Sequence, residues 1–219
     1  MITSLGWLFS FLPTRFKHLN LLLLLSLFNY SETSTIPVTG IKGGSVTLSC
    51  DFEAKDIDLR RFSKNILSCQ NDECESENGR LFKEGSCDVI IKDLRLSDAG
   101  KYILKVYNDD GQTELKMYQL CIHDEISVKK GEQLKLDVLL VDADKVQHQS
   151  RRSTGWKEDW KRSEGVQNDR MTFRDGNLII KNFASTDAGT YEVLDSEGEI
   201  LIMVTVTGAA AAETGPGGE

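Results

Sequence analysis

Two stretches of the chain share one frame: Ser97–Val106 reads SDAGKYILKV and Thr186–Asp195 reads TDAGTYEVLD. In each, an Asp-Ala-Gly turn leads through a Tyr into an alternation of apolar and polar residues, the pattern of a strand with one buried face. The flanks repeat as well. In GGSVTLSCDF, Val46, Leu48 and Cys50 alternate with Ser45, Thr47 and Ser49; in GEQLKLDVLL, Leu134, Leu136 and Val138 take the same face, with Val138 where Cys50 stood. Farther on, CDVIIKDLRLSDAGKYILKVYND matches GNLIIKNFASTDAGTYEVLDSEG. Hairpin signals near Gly111 and Gly198 then lead into TELKMYQLCI and EILIMVTVT. No segment carries a long helical period, so an all-β chain of two units is expected, at 34–123 and 124–207. The join, CIHDEISV, has no Pro or Gly run. The last strand of the first unit should run straight into the first strand of the second, as a stiff rod.

The ends read differently from the middle. Arg15, Lys17 and His18 precede the apolar run LNLLLLLSLF at Leu19–Phe28, followed by polar residues, which predicts a signal peptide over 1–33 cleaved between Ser31 and Ile36. The tail, 208–219, is small and polar and reads as a flexible linker. The expectation is a secreted protein, with a plasma-membrane form whose anchor is missing from this isoform as the alternative. The formal charge of -8 becomes about -10 once Arg15 and Lys17 leave, because no acid precedes Glu32. A surface of that sign argues against nucleic acid or an anionic membrane as partner, although local patches can differ from the sum. The one glycosylation sequon, Asn29–Ser31, overlaps the cleavage zone.

The order of a Gly-led alternating strand, an Asp-x-Gly-x-Tyr turn and a closing hairpin resembles the immunoglobulin fold over nearly the whole mature chain, in two copies: two tandem immunoglobulin-like β-sandwiches. The resemblance makes Tyr102 and Tyr191 the tyrosine corners, and makes Arg80 and Arg170 the partners of the turn carboxylates Asp98 and Asp187. It also implies a cysteine two residues past each Tyr, where this chain has Leu104 and Val193. The second unit has no cysteine, so Val138 is expected to face Val193 in a dry core. Two buried apolar side chains at about 1.5–3 kcal/mol each are comparable with a disulfide at about 2–4 kcal/mol. A missing bridge resembles the variable-type domains of the lymphocyte activation and adhesion receptors, as does RDGNLIIKNF at Arg174–Phe183.

By the same resemblance Cys50 holds the bridge position of the first unit, with Cys69, Cys74, Cys87 and Cys121 as candidate partners. Cys69 and Cys74 flank the polar turn QNDE, which suits a hairpin bridge similar to the extra one of polymeric-immunoglobulin-receptor-like proteins. Cys87 is in register with buried Val89 and Ile91, so Cys50–Cys87 is the preferred second pair. Cys121 is then left for an intermolecular bridge or a free thiol, with a homodimer as one outcome. The spacing matches no zinc pattern, and no metal or other cofactor is expected.

His123 and His148 remain after the leader, with no serine elbow or paired-histidine motif, so an enzyme with a small-molecule substrate is not expected. Binding is the favoured class. The segment Asp144–Gln167 gathers Arg151, Arg152, Trp156, Lys157, Trp160, Lys161 and Arg162, and Trp and Arg are the side chains that anchor interfaces. Trp156 and Trp160, four apart, should share a face. The expectation is an immune-receptor ectodomain or soluble decoy that recognises a cell-surface protein by a sheet face; the alternative is a self-associating structural or adhesion protein, including a neural one.

Overall fold

The computed structural model describes residues 34–71, 73–138 and 141–209; the expected leader and residues 210–219 of the expected tail lie outside the described residues. The first repeat contributes β1 (Thr35–Ile41), β2 (Val46–Leu48), β3 (Asp56–Arg61), β4 (Lys64–Gln70), β5 (Glu73–Ser76), β6 (Leu81–Glu84) and β7 (Asp88–Ile91). A short 3-10 turn, Leu96–Asp98, leads into β8 (Gly100–Tyr107), and β9 (Thr113–Lys129) follows. The second repeat continues with β10 (Leu134–Asp137), β11 (Lys145–Ser150), β12 (Lys157–Lys161), β13 (Gly165–Val166) and β14 (Met171–Arg174). It closes with β15 (Asn177–Ile180), β16 (Gly189–Leu194) and β17 (Ile200–Ala209). Each repeat has a three-stranded back sheet, β2-β7-β6 and β10-β15-β14.

The two front sheets are one. Strand β9 is 17 residues long, and its N-terminal part pairs antiparallel with β8, from Thr113 opposite Tyr107 to Leu120 opposite Gly100. Its C-terminal part pairs parallel with β17, from Ile122 opposite Ile202 to Lys129 opposite Ala209. Between them β1 pairs parallel with its middle. The result is an eleven-stranded sheet in the order β13-β12-β11-β16-β17-β9-β8-β3-β4-β5, with β1 set against β9. Such a strand needs every N–H, and residues 113–129 contain neither Pro nor Gly. The division expected at 123/124 therefore falls inside one strand. The expected tail needs a correction: Gly208 and Ala209 continue β17 and pair with Val128 and Lys129.

Period-two burial builds the core. Ile57 and Leu59 of β3, Tyr102, Leu104 and Val106 of β8, Val146 of β11 and Val193 of β16 are all buried. Leu104 and Val193 thus fill with apolar side chains the positions where the fold would place sulfur. The structure joins Cys50 to Cys87 with Cα atoms 5.5 Å apart. The β2–β7 ladder runs from Val46 opposite Ile91 to Leu48 opposite Val89, so two residues further on Cys50 and Cys87 meet within one sheet, not between the two. In the second repeat the same place holds Val138, whose N–H donates to the Gly176 carbonyl at 2.9 Å. Val138 and Val193 are both buried in the same apolar cluster. Cys69 and Cys74 are direct partners in the β4–β5 register and are joined, with Cα atoms 4.0 Å apart.

Both turns close identically. The Tyr102 hydroxyl donates to the Asp98 carbonyl at 2.6 Å, and Tyr191 to the Asp187 carbonyl at 2.7 Å. Arg80 grips the Asp98 carboxylate with both terminal nitrogens, at 2.7 and 2.9 Å, and Arg170 grips Asp187 at 3.0 and 2.6 Å. Gly189 is required by packing. A Cβ there would lie 2.1 Å from the Gln149 carbonyl oxygen, and its φ of +152° is one that L side chains rarely adopt.

Candidate functional site: two surfaces of the front sheet

Alternation decides what the front sheet shows to solvent. In the first repeat Ile57, Leu59, Tyr102, Leu104 and Val106 point into the core, so Asp58, Ile103, Lys105 and Tyr107 point out. On β9, Tyr118 and Leu120 are buried, which turns Leu115 and Met117 outward. The ladders set these side chains beside one another: Asp58 opposite Lys105, Ile103 opposite Met117, and Lys105 opposite Leu115. The Asp58 carboxylate accepts from the Ser68 hydroxyl at 2.6 Å and from the Tyr107 hydroxyl at 2.9 Å, one on each of its oxygens. The Lys105 ammonium lies 4.6 Å from the centre of the Tyr107 ring. Leu115 stays 51% exposed. This plane combines an apolar strip with a polar network already fixed in place, so contact with another protein would order few side chains.

These residues were not among the expected binding set. The signal was present in KYILKVY and TELKMY, where Ile103, Leu115 and Met117 put apolar side chains at positions that alternation reserves for polar ones.

The second-repeat set does not form one face. Trp160 is 6% exposed, opposite Val146 and stacked on Phe173 with ring centres 4.7 Å apart, whereas Trp156 precedes β12 and is 43% exposed. The expectation of a shared face is corrected by two facts: Trp156 lies outside the strand, and a register shift at Val146/Gln147 breaks the alternation of β12. Arg162 at the far end of β12 is also engaged: its Nε donates to the Ala143 carbonyl at 2.7 Å and an Nη to the Val141 carbonyl at 3.0 Å. Lys161 is paired with Glu164 at 3.0 Å. Arg151, Arg152 and Trp156 remain together, exposed in the β11–β12 loop.

Beside that loop a cleft of about 250 Å³ is lined by residues that include His148, Ser150, Ser153, Lys157, Asp159 and Arg170. The register shift turns Asp159 inward until none of its surface is exposed. Neither of its oxygens has a hydrogen-bond partner; Lys157 Nζ stands 3.5 Å from one and His148 Nδ1 3.8 Å from the other. Burial pushes the Asp159 carboxyl above the usual range despite Lys157 and His148, and burial pushes His148 down despite Asp159. His148 stacks on the corner residue Tyr191 with ring centres 4.1 Å apart. Cys121 is unpaired and half-buried on β9, and burial pushes its thiol up to about 11.

No protein-family model and no curated protein matches the chain. Similar solved structures include CD84, of the SLAM family, at 25% identity over 41% of this chain and 97% of that one, with a TM-score of 0.37. The first immunoglobulin-like domain of human CD48 is 18% identical over 42% and 84%, with a TM-score of 0.38. Murine CEACAM1b is 16% identical over 79% and 96%, with a TM-score of 0.37. What makes the chain immunoglobulin-like is its own geometry: paired front and back sheets, two tyrosine corners and two arginine–aspartate clasps. Its fold is immunoglobulin-like, in two copies.

Proposed function

We propose that the chain is a non-enzymatic recognition module that works outside the cell and binds a protein on another surface through the outer face of its first repeat. The observation that carries this reading is the strip of Ile103, Leu115 and Met117 beside the Ser68–Asp58–Tyr107 network, with Leu115 half exposed. Exposed apolar surface rimmed by polar groups is where soluble proteins meet partners. A cell-surface receptor is the partner class proposed, for a secreted or anchored form alike. A disulfide-linked homodimer has less support, because a half-buried thiol with its pKa near 11 is a poor attacking group.

The test uses a multimer of the mature protein to stain leukocytes and non-immune cells, since multivalency reveals weak affinities. With excess soluble heparin present to compete away polyanion binding, Leu115→Arg with Met117→Arg should abolish the remaining staining and leave the melting temperature unchanged. Staining that survives both substitutions refutes this face.

A further inference from the structure

At the end of the second repeat away from the first, the strand ladders bring three loops together. Arg151 follows the level where Ser150 opposes Gly189 and Gly189 opposes Val206; Lys129 opposes Ala209 at the same end of β17. Lys181 joins them, because its N–H donates to the Arg170 carbonyl at 3.0 Å and its neighbour Phe183 exchanges backbone hydrogen bonds with Gly131 and Glu132. Lys129, Lys130, Arg151, Arg152, Lys157 and Lys181 are all exposed there, and among the described residues the exposed carboxylates on the same loops are Glu132 and Asp169. Among the described residues, Lys157 has a side-chain ion pair to Asp159 at 3.5 Å and the other five cations have none. From the Lys129 strand to the Arg151 strand the sheet spans three inter-strand steps, about 14 Å. A chain of net charge -8 therefore ends in a cationic rim.

The rim surrounds a built cleft. Its lining includes His148, 7% exposed, and Asp159, 0% exposed. Both Asp159 oxygens are acceptors without hydrogen-bond partners, and His148 Nε2 is a third buried polar atom without one. Ser150 and Ser153 line the same cleft, and the exposed indole of Trp156 lies one residue from its wall at Gly155 and Lys157. Cations suit sulfate or carboxylate groups; buried acceptors suit hydroxyl donors; an exposed aromatic ring suits the flat apolar face of a sugar. We infer that this end binds an acidic, sulfated polysaccharide of the glycosaminoglycan class, one sugar seated in the His148–Asp159 cleft and the flanking sulfates on Arg151, Arg152 and the lysines. An anionic bilayer would satisfy the rim but leave the acceptors of the cleft unpaired. The site is separate from the first-repeat face, and either can fail without the other.

The experiment measures binding of the full mature chain to a size-defined heparin oligosaccharide, its desulfated counterpart and vesicles containing phosphatidylserine, near physiological ionic strength. The oligosaccharide should bind, with affinity falling as salt rises, and the desulfated form and the vesicles should bind at least about tenfold more weakly, as expected when charge is necessary but not sufficient. R151E with R152E should weaken the oligosaccharide at least about tenfold by removing and reversing two contacts. Asp159→Asn and Trp156→Ala should each weaken it severalfold, with no loss of melting temperature. Absence of heparin binding, equal binding to the vesicles, or affinity unmoved by the loop and cleft variants overturns the inference.

Discussion

Asp98 and Asp187 hold their turns through charge. Burial raises each carboxyl, but the hydrogen bonds from Arg80 or Arg170 and from the backbone of Arg95 or Ala184 outweigh it, so both sit below the usual carboxylate range. A carboxyl depressed in the folded state adds stability that is fully present above its unfolded pKa, about 3.9, and is lost as pH falls through the folded value. The contribution of these two carboxyls to the unfolding free energy should therefore be flat near neutrality and drop below about pH 4. Asp98→Asn should cost about 3 kcal/mol at neutral pH, since it leaves a largely buried guanidinium without its counter-charge, and should flatten that acid limb. Asp187→Asn should cost less, because Arg170 is 40% exposed on its side chain where Arg80 is 17%. Denaturant titrations across pH check this; an acid limb unchanged in both variants contradicts it.

At the scale of elements, the two bridges do unequal work. Cys50–Cys87 closes a separation of 37 residues and Cys69–Cys74 one of 5, which loop-closure entropy converts to about 4 and about 2 kcal/mol. Removing the first pair as Cys50→Ala with Cys87→Ala should lower stability roughly twice as far as removing the second; calorimetry of both double variants decides, and equal losses contradict the assignment. The same elements show what the sequence made legible. The repeated Asp-Ala-Gly-x-Tyr frame is local chemistry, and the resemblance it carries implied both corners and both arginine clasps. The register of Cys87 with Val89 and Ile91 likewise pointed to its sheet. The Trp pair could not be read this way: its orientation depends on a register shift set by the pairing of β11 with β12, a non-local event that alternation along one strand does not contain. The outward strip on β8 and β9 was written in the sequence as misplaced apolar residues, but its meaning required knowing that Ile103 lies opposite Met117.

On the scale of the whole molecule, β9 makes one sheet of two repeats, so the first-repeat face and the basic end of the second belong to a single hydrogen-bonded platform. An acidic chain with one basic end and one apolar strip has two unlike surfaces to offer, and the strip is the one proposed to choose the protein partner. The most direct measurement places a photoreactive residue at Leu115, and in a control at Phe82 on the back sheet, also exposed, and illuminates the protein on living cells that it stains. A single adduct formed from position 115 and none from position 82 is the predicted result. An adduct from position 82 with none from 115 would put the binding surface on the opposite sheet and contradict the proposed function.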